Sequence, residues 1–486
     1  MADMPLLRLT SVLHTALPHL SENGRALLNA LGCTNGHPPC SHDLATWLGF
    51  HDRYQLARAL RREGLPPLEV MGGWARTLYW MGEAEASGKS LRELAEQEHL
   101  DPAVAYRLVR RVTGRRWSEV RREGLAVAML RFRDRCGKAV PRSVRPQALP
   151  TALPLAVGQG SAAALVRGTP RPIGTRAGSG QWPSVTPRTP GHRVVQSVGE
   201  RVAVDGRPFD VAFASSGEAL VTRSHSAAID VLRFNPLSVA HSIVVGSAPA
   251  RVLPNKKLNG GAQLAYVTTQ FVEAVSVVDL QRRQRVGSIA VPGHPLGAVL
   301  SPDGHTLYVT TNHDRLVAIS TLQRTVLGVA QIPLGIPQLA IHPSGQWILV
   351  PCWRAGVIVE VDASTLGITR RFEVGGIVQD VVISPDGQNL YAANEAGWLD
   401  VIHLPSGRRT ATIDFGAPAL GLALSADALH LFVGLLAAGR VLVLQRQGLV
   451  ERASISTGGR PRLFAVHPDG HAVLVANEAG WVDLLR

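Results

Sequence analysis

The sequence contains few aromatic residues, few cysteines and hardly any lysine. Phe, Trp and Tyr make up 5% of its 486 residues, although hydrophobic residues reach 45%. The cores must therefore consist mainly of Val, Leu, Ile and Ala. Four cysteines are too few for a disulfide framework in a chain of this length. Cys136 and Cys352 stand alone in the sequence, so we expect both thiols to be inert.

Long apolar runs are also missing. No stretch of 18 consecutive apolar residues occurs, which argues against a transmembrane helix. The first twenty residues lack a basic segment followed by a clean apolar one, so we expect no secretory signal. Together these absences predict a cytoplasmic protein with no membrane partner.

Acidic residues are absent from one segment of the chain. Residues 141–191 contain six Arg and no Asp or Glu. Residues 1–140 have 20 basic against 15 acidic residues, whereas residues 192–486 have 24 against 22. Most of the net charge of +13 therefore lies in the first two-fifths of the chain. This asymmetry suggests a polyanionic partner for the N-terminal part, although a genome that favours arginine would also produce it.

Turn sequences recur with a period of 41 or 42 residues. Their fourth positions advance by 41, 42, 41 and 42 residues, and looser versions occur at Ser215-Ser216-Gly217 and Asn259-Gly260. In such a turn Gly supplies a positive φ and Pro presets the first corner. The clear copies are Ser301-Pro302-Asp303-Gly304, His342-Pro343-Ser344-Gly345, Ser384-Pro385-Asp386-Gly387, Ser425-Ala426-Asp427-Ala428 and His467-Pro468-Asp469-Gly470.

Four short strand-like segments surround each of these turns, which is typical of a β-propeller blade. The units are joined by Gly-x-Pro crossings such as Gly206-Arg207-Pro208 and Gly459-Arg460-Pro461, and counting the crossings gives seven blades. The last unit is one strand short, and residues 199–204 resemble an unpaired fourth strand. We therefore predict a seven-bladed, all-β propeller over residues 193–486, closed by pairing residues 199–204 with the last blade.

The repeats resemble the YVTN family of propeller repeats. Tyr266-Val267-Thr268-Thr269 and Tyr308-Val309-Thr310-Thr311-Asn312 carry the resemblance. A second sequence, Ala-Asn-Glu-Ala-Gly-Trp, occurs unchanged at residues 393–398 and 476–481. The resemblance implies the fold and leaves the function open, because such propellers host unrelated roles.

Residues 20–136 are helical in pattern and contain two similar units, at residues 43–64 and 90–114. Each unit has a short Leu- and Ala-bearing helix, a tight turn and a second helix with Arg at spacings of three and four. Asp52 and Asp101 are the expected N-caps of the second helices, and Pro102 suits a first helical position. This arrangement is typical of a helix-turn-helix, whose second helix lies in the major groove of DNA.

The pair of units resembles the AraC/XylS-type DNA-binding domain, in which a helix joins two helix-turn-helix units. The connector at residues 67–86 has the length of that helix, although Gly72 and Gly73 are expected to weaken it. The resemblance implies contacts with double-stranded DNA through both second helices. The residues expected to face bases are Arg53, Tyr54, Gln55 and Arg58 in the first unit and Ala103, Val104, Tyr106 and Arg107 in the second. Those expected to neutralise phosphates are Arg61, Arg62, Arg110 and Arg111.

The remaining segments give weaker signals. Residues 1–19 form an N-terminal extension, and residues 137–192, rich in Pro, Gly, Ala, Ser and Arg, form a flexible linker. Cys33, His37, Cys40 and His42 are possible zinc ligands, but their spacing is tighter than in structural sites, so we expect no metal. No cofactor is expected either.

Catalytic signatures are not found in the sequence, which contains no Gly-x-Ser-x-Gly, Walker-type glycine loop or His-Glu-x-x-His. His313, Arg354, Glu395 and Glu478 lie near blade loops and are the candidate channel residues, with a structural role expected for the two glutamates. The sequence thus predicts a regulator that is not an enzyme, with a propeller serving as sensor or docking platform for a protein or small molecule. Two alternatives remain: a non-catalytic interaction scaffold whose helix-turn-helix units have degenerated, with Arg58 and Arg107 in internal salt bridges, and a lactonase-like propeller hydrolase.

Overall fold

The chain consists of a helical region followed by a seven-bladed β-propeller, as the sequence predicts. The structure is a computed structural model. It describes residues 9–10, 13, 16–17, 20–34, 36, 41–50, 52–98, 100–136, 195–214, 217–234, 236–255, 263–312, 314–333, 338–352 and 355–486. The predicted linker at residues 137–192 and the turns at residues 215–216 and 259–260 lie outside the described residues. In the described part of the chain, no helix is long and apolar enough to cross a membrane.

Eight helices make up the described helical region. They are α1 (Glu22–Cys33), α2 (Ser41–Trp47), α3 (Arg53–Arg62), α4 (Leu68–Ser87), α5 (Leu91–Gln97), α6 (Pro102–Thr113), α7 (Trp117–Glu123) and α8 (Leu125–Cys136). The predicted connector is therefore a helix, α4, despite its two glycines. Gly73 lies where α4 crosses α6, and a Cβ atom there would stand 2.7 Å from Val112 Cγ1. Close packing of the two helices explains why this position is a glycine. The packing also compensates for the low helix propensity of glycine.

The propeller is built from 28 strands in seven four-stranded antiparallel sheets within the described residues. Blade 1 contains β2 (Pro208–Phe213), β3 (Ala219–Arg223), β4 (Ala228–Phe234) and β5 (Leu237–Val244); blade 2 contains β6 (Pro249–Asn255), β7 (Leu264–Thr269), β8 (Ala274–Asp279) and β9 (Gln284–Ala290); blade 3 contains β10 (Pro295–Leu300), β11 (Thr306–Thr311), β12 (Arg315–Ser320) and β13 (Thr325–Gln331). Blade 4 contains β14 (Ala340–Ile341), β15 (Trp347–Cys352), β16 (Val357–Asp362) and β17 (Ile368–Glu373); blade 5 contains β18 (Val378–Ile383), β19 (Asn389–Asn394), β20 (Trp398–His403) and β21 (Arg408–Asp414); blade 6 contains β22 (Ala419–Leu424), β23 (His430–Leu435), β24 (Arg440–Gln445) and β25 (Val450–Ser456).

Blade 7 combines strands from the two ends of the propeller sequence. It contains β26 (Pro461–Val466), β27 (Val473–Asn477) and β28 (Trp481–Leu485), with β1 (Val198–Ala203) as the outermost strand. β1 pairs antiparallel with β28, and Arg201 Nε donates to Asp483 Oδ1 at 2.6 Å across the pair. The pairing gives the last blade the same four strands as the other six and leaves no blade incomplete.

The repeated turns join the first and second strands of the blades. Gly304 has φ +75° and its backbone N–H donates to the Ser301 carbonyl at 2.8 Å, which closes the turn. In the Ser-Ala-Asp-Ala version, Ala428 adopts φ +56° in the corresponding place. The turn geometry therefore persists where alanine stands in place of glycine. The alanine then adopts the left-handed region, which is strained for a residue with a side chain.

Buried carboxylates link the innermost strands of neighbouring blades. Asp210 of β2 accepts a hydrogen bond from the Val252 N–H of β6 at 2.9 Å and pairs with Arg251 at 2.9 Å. Asp380 of β18 accepts from the Leu422 N–H of β22 at 2.8 Å. Each carboxylate thus satisfies a backbone donor of the next blade, which fixes the spacing of adjacent blades around the channel.

The hydrophobic core of the helical region continues into the propeller. Ala248 and Phe271, from loops of blades 1 and 2, belong to the same buried cluster as the helices. Trp47 of α2 contacts the Phe271 ring edge-on, with ring centroids 5.6 Å apart. Asn29 of α1 donates through Nδ2 to the Phe271 carbonyl at 2.5 Å. The helical region is therefore packed directly on the face of the ring that carries the blade-to-blade crossings.

Candidate nucleic-acid interface

The two predicted units correspond to the helix pairs α2–α3 and α5–α6, and the second helix of each pair begins at a capping aspartate. Asp52 Oδ1 accepts from the Gln55 backbone N–H at 2.7 Å, and Asp101 Oδ1 accepts from the Ala103 N–H at 2.8 Å. Pro102 occupies the first turn of α6. These side chains satisfy backbone donors that a helix start leaves unpaired, so α3 and α6 start where the sequence predicts.

α3 presents one buried and one exposed face. Leu56 and Leu60 are buried, 3% and 5% exposed. The predicted base- and phosphate-facing residues of this helix are all exposed except the half-buried Gln55: Arg53, Tyr54, Gln55, Arg58, Arg61 and Arg62. Arg53 Nη2 donates to the Tyr54 hydroxyl at 3.0 Å. The helix therefore offers solvent a stripe of three guanidinium groups, those of Arg58, Arg61 and Arg62, with Arg53 exposed at its start.

α6 repeats this arrangement with the same spacing from its cap. Ala105, Val109 and Val112 are buried against the other helices. All six predicted residues are exposed, namely Ala103, Val104, Tyr106, Arg107, Arg110 and Arg111. Arg58 and Arg107 each lie six positions after their capping aspartate, so they occupy equivalent places on the two helices.

The arginines on both stripes are free of ion pairs within the described residues. This holds for Arg58, Arg61, Arg62, Arg107, Arg110 and Arg111. Other arginines of the region are engaged: Arg76 pairs with Glu98 at 2.8 Å and stacks on Trp80, whose Nε1 also donates to Glu98 at 3.1 Å. If these helices formed an interaction domain, we would expect Arg58 and Arg107 in internal salt bridges, and the described residues contain no salt bridge of either arginine.

The other candidate residues fall into two groups, those outside the described residues and the two glutamates of the propeller. His313 and Arg354 are outside the described residues, and so are the side chains of the cysteine–histidine cluster at residues 33–42. Within the described residues no group of His, Cys, Asp or Glu side chains could hold a metal ion. Burial raises the pKa of the Cys136 and Cys352 thiols to about 12, so both stay protonated.

Glu478 occupies an environment that the sequence analysis missed. Arg207 Nη2 pairs with its carboxylate at 2.5 Å, Arg460 Nε lies at 3.3 Å, and Arg462 Nη1 donates to its second oxygen. Burial alone would raise the pKa of Glu478, but Arg462 and Arg207 outweigh it and hold the pKa below its usual value. We call Arg207, Arg460, Arg462 and Glu478 the arginine cluster. Two of its arginines are the middle residues of predicted Gly-x-Pro crossings, which was the available signal.

Comparison with known proteins gives the fold and no family. No protein-family model matches the chain, and no curated protein matches it. Among solved structures, it is similar to the Kuenenia stuttgartiensis hydrazine synthase, with a TM-score of 0.53 and 20% sequence identity. The alignment covers 61% of this chain and 99% of that chain. At this identity the likeness bears on architecture alone.

Proposed function

We propose that this chain is a DNA-binding transcriptional regulator of the cytoplasm. Its helical region binds double-stranded DNA through α3 and α6, in the manner that its resemblance to AraC/XylS-type domains implies. The propeller serves as sensor or docking platform for a small molecule or protein. The observation that carries the proposal is the duplicated unit: two capped helices with their exposed arginines at equal distances from the cap.

The exposed residues on α3 and α6 suit a duplex. Guanidinium groups recognise phosphates and guanine edges with paired donors, and unpaired arginines bring no competing carboxylate. Tyr54 and Tyr106, 62% and 42% exposed, stand among them as further hydrogen-bonding groups. Ala103 and Val104 lack side-chain donors, so α6 would contact thymine methyl groups and the backbone more than base edges. Packing of α1 and α2 on the propeller leaves both arginine stripes exposed.

We expect the full chain to bind duplex fragments from upstream of its own coding region, and Arg107→Ala to weaken that binding. Loss of a base contact costs about 1–3 kcal/mol, which corresponds to a roughly 5- to 150-fold rise in Kd. Replacing Arg110 and Arg111 together by alanine should reduce the slope of log Kd against log salt concentration by about 2, the contribution of two phosphate contacts. Fluorescence anisotropy at several salt concentrations measures both quantities.

Arg133→Ala is the matched control, because Arg133 is an exposed arginine on α8 that already lies near Asp134. It removes the same charge from the same region and should change the Kd less than twofold, roughly the effect of one distant, screened charge. Binding that is equally weakened by Arg107→Ala and Arg133→Ala, or no binding at all, would contradict the regulator and favour the interaction scaffold.

A further inference from the structure

Two copies of one turn occur in the propeller, and they differ only in their surroundings. The turn Asn-Glu-Ala-Gly-Trp spans residues 394–398 in blade 5 and residues 477–481 in blade 7. Asn394 Oδ1 accepts from the Ile377 N–H at 2.9 Å, and Asn477 Oδ1 accepts from the Arg460 N–H at 2.7 Å. The same backbone positions are therefore held in both blades.

The tryptophans of the two turns also make equivalent contacts. Trp398 Nε1 donates to Asp400 Oδ2 at 3.0 Å, and Trp481 Nε1 donates to Asp483 Oδ2 at 2.9 Å. The asparagine amides likewise both donate to a glycine carbonyl at 2.9 Å. The hydrogen bonds of the Asn and Trp side chains thus hold the turn in place, and they are the same in the two blades.

The glutamates of the two turns have different partners. Glu395 accepts one hydrogen bond from Gln379 Nε2 at 2.7 Å. Glu478 is instead surrounded by the three arginines of the arginine cluster. The crossing into blade 5, strand β18 and the crossing after blade 5 carry Ile377, Gln379 and Ala417. At the same places, the crossing into blade 7, strand β26 and the crossing into blade 1 carry Arg460, Arg462 and Arg207. The turn folds without arginines, so its architecture does not require them.

The arginine cluster has more donors and more positive charge than Glu478 can satisfy. Each guanidinium carries five N–H groups, whereas a carboxylate accepts at about four sites. The side chain of Glu478 is 1% exposed, while those of Arg207 and Arg460 are 39% and 55% exposed. Arg462 is 20% exposed and lies 4.1 Å from the centre of the Phe209 ring. Glu395 also attracts Arg462 and compensates part of this excess, and Asp43 lies near enough to the neighbouring His225 to act on its charge.

We propose that the arginine cluster is a binding site for a small oxyanion, a molecule that carries a carboxylate or phosphate group. The buried Glu478 holds the three guanidinium groups together, and their outward N–H groups receive the ligand. Charge-assisted hydrogen bonds of this kind are short and directional. The recessed position of Arg462 suits a small molecule better than a duplex. The cluster lies on the crossing face of the ring, where blades 7 and 1 meet.

The site adjoins the contact between propeller and helices. Arg207 Nη1 lies 3.2 Å from His225 Nε2, and the His225 ring stands edge-on to Trp47 of α2 at 4.5 Å between centroids. A ligand that draws Arg207 outward removes a partner of His225. It therefore acts on the contact between His225 and Trp47, which belongs to α2, the helix that precedes α3. This role as the input of a regulator rests on the proposed function, whereas binding of the anion does not.

The test is calorimetric titration of the full chain, without DNA, with inorganic phosphate and separately with succinate. We expect saturable binding of one equivalent of at least one anion, and the preferred anion distinguishes a phosphate ligand from a carboxylate ligand. The triple variant Arg207→Ala, Arg460→Ile and Arg462→Gln should weaken binding about tenfold or more. It copies the residues found at the blade 5 turn, and Ala248, at φ +54° before Pro249, shows that alanine accepts the backbone of Arg207, at φ +60°.

The matched control removes three exposed arginines elsewhere on the propeller: Arg282→Ala, Arg408→Ala and Arg452→Ala. It should bind the anion within about twofold of the wild-type affinity, since distant exposed charges are screened. Thermal unfolding checks that both triple variants are folded. The site would be refuted if neither anion bound saturably, or if both triple variants lost affinity equally. Either failure leaves DNA binding by α3 and α6 untouched, because that assay depends on different residues.

Discussion

Replacing Gly421 by alanine is expected to destabilise the propeller by about 3 kcal/mol or more. Gly421 lies on β22, where the innermost strands of blades 6 and 7 approach each other. A Cβ atom at this position would stand 1.7 Å from the Arg462 carbonyl oxygen and 3.0 Å from Phe464 Cε2. The first neighbour is backbone, so the clash can be relieved only by moving one blade against the next.

Gly287→Ala is the matched control for Gly421→Ala. Gly287 also lies on a strand, β9, and a Cβ atom there would meet only the flexible end of Arg324, at 3.4 Å. We expect its unfolding midpoint to stay within a few degrees of the wild type, roughly the effect of a well-tolerated surface substitution. Scanning calorimetry compares the two variants. Equal midpoints for both would show that the blades are not packed as tightly as the structure indicates.

Asp380→Asn is expected to change how stability depends on pH. Burial raises the pKa of Asp380 to about 7, although the Leu422 N–H and the Arg251 charge act in the opposite direction. The folded protein therefore keeps this proton over a pH range in which the unfolded chain, with an ordinary pKa near 4, has lost it. The stability contributed by the protonated carboxyl is fully present below pH of about 4 and is lost as the pH rises to about 7.

The difference in stability between Asp380→Asn and the wild type isolates this effect. Asparagine keeps an oxygen for the Leu422 N–H but does not ionise. The variant should gain up to about 4 kcal/mol relative to the wild type between pH 4 and pH 8. Burial and Arg207 lower the pKa of His225 to about 4, which gives an opposite slope between pH of about 4 and 6.5, but both proteins share it.

Urea unfolding at several pH values, followed by tryptophan fluorescence, measures this difference. A difference that stays constant from pH 4 to pH 8 would mean that Asp380 titrates as an ordinary surface carboxyl. Asp362→Asn serves as the control, since this half-buried aspartate has a pKa of about 2, held low by hydrogen bonds from Ser364 and Thr365. Folding shifts this titration from an ordinary pKa near 4 to about 2, so the variant should leave the profile above about pH 5 unchanged.

The propeller was predictable because its signals are local and repeated. A turn such as Ser301–Gly304 needs a positive φ at Gly304. The turn and the strand-like segments that flank it recur together every 41 or 42 residues. The starts of α3 and α6 were predictable for the same reason, because the capping carboxylates of Asp52 and Asp101 lie within three residues of the N–H groups that they accept from.

The contact between helices and propeller could not be predicted in this way. Trp47 and Phe271 are more than 200 residues apart, and neither position departs from the pattern of its own segment. Trp47 fits the apolar face of a helix, and Phe271 fits a blade loop. Only the folded arrangement shows that one buried cluster contains both.

The arginine cluster was missed for a topological reason. Arg207 lies in the first crossing of the propeller and Arg460 in the last, so they are 253 positions apart in the sequence. Closure of the ring makes these two crossings neighbours. The two identical turns led to the expectation of one structural role for both glutamates, and the residues that distinguish them, Arg462 and Gln379, belong to adjoining strands.

The pairing of β1 with β28 also sets the order of events during protein synthesis. At about 5–20 residues per second, the roughly 280 residues between them take on the order of 15 to 60 seconds to translate. Throughout that time β1 has been synthesised but its partner strand does not yet exist. The helices, made earlier and built on local contacts, have that interval to fold and to meet the emerging blades 1 and 2. The first propeller strand to be synthesised is thus the last to find its partner strand.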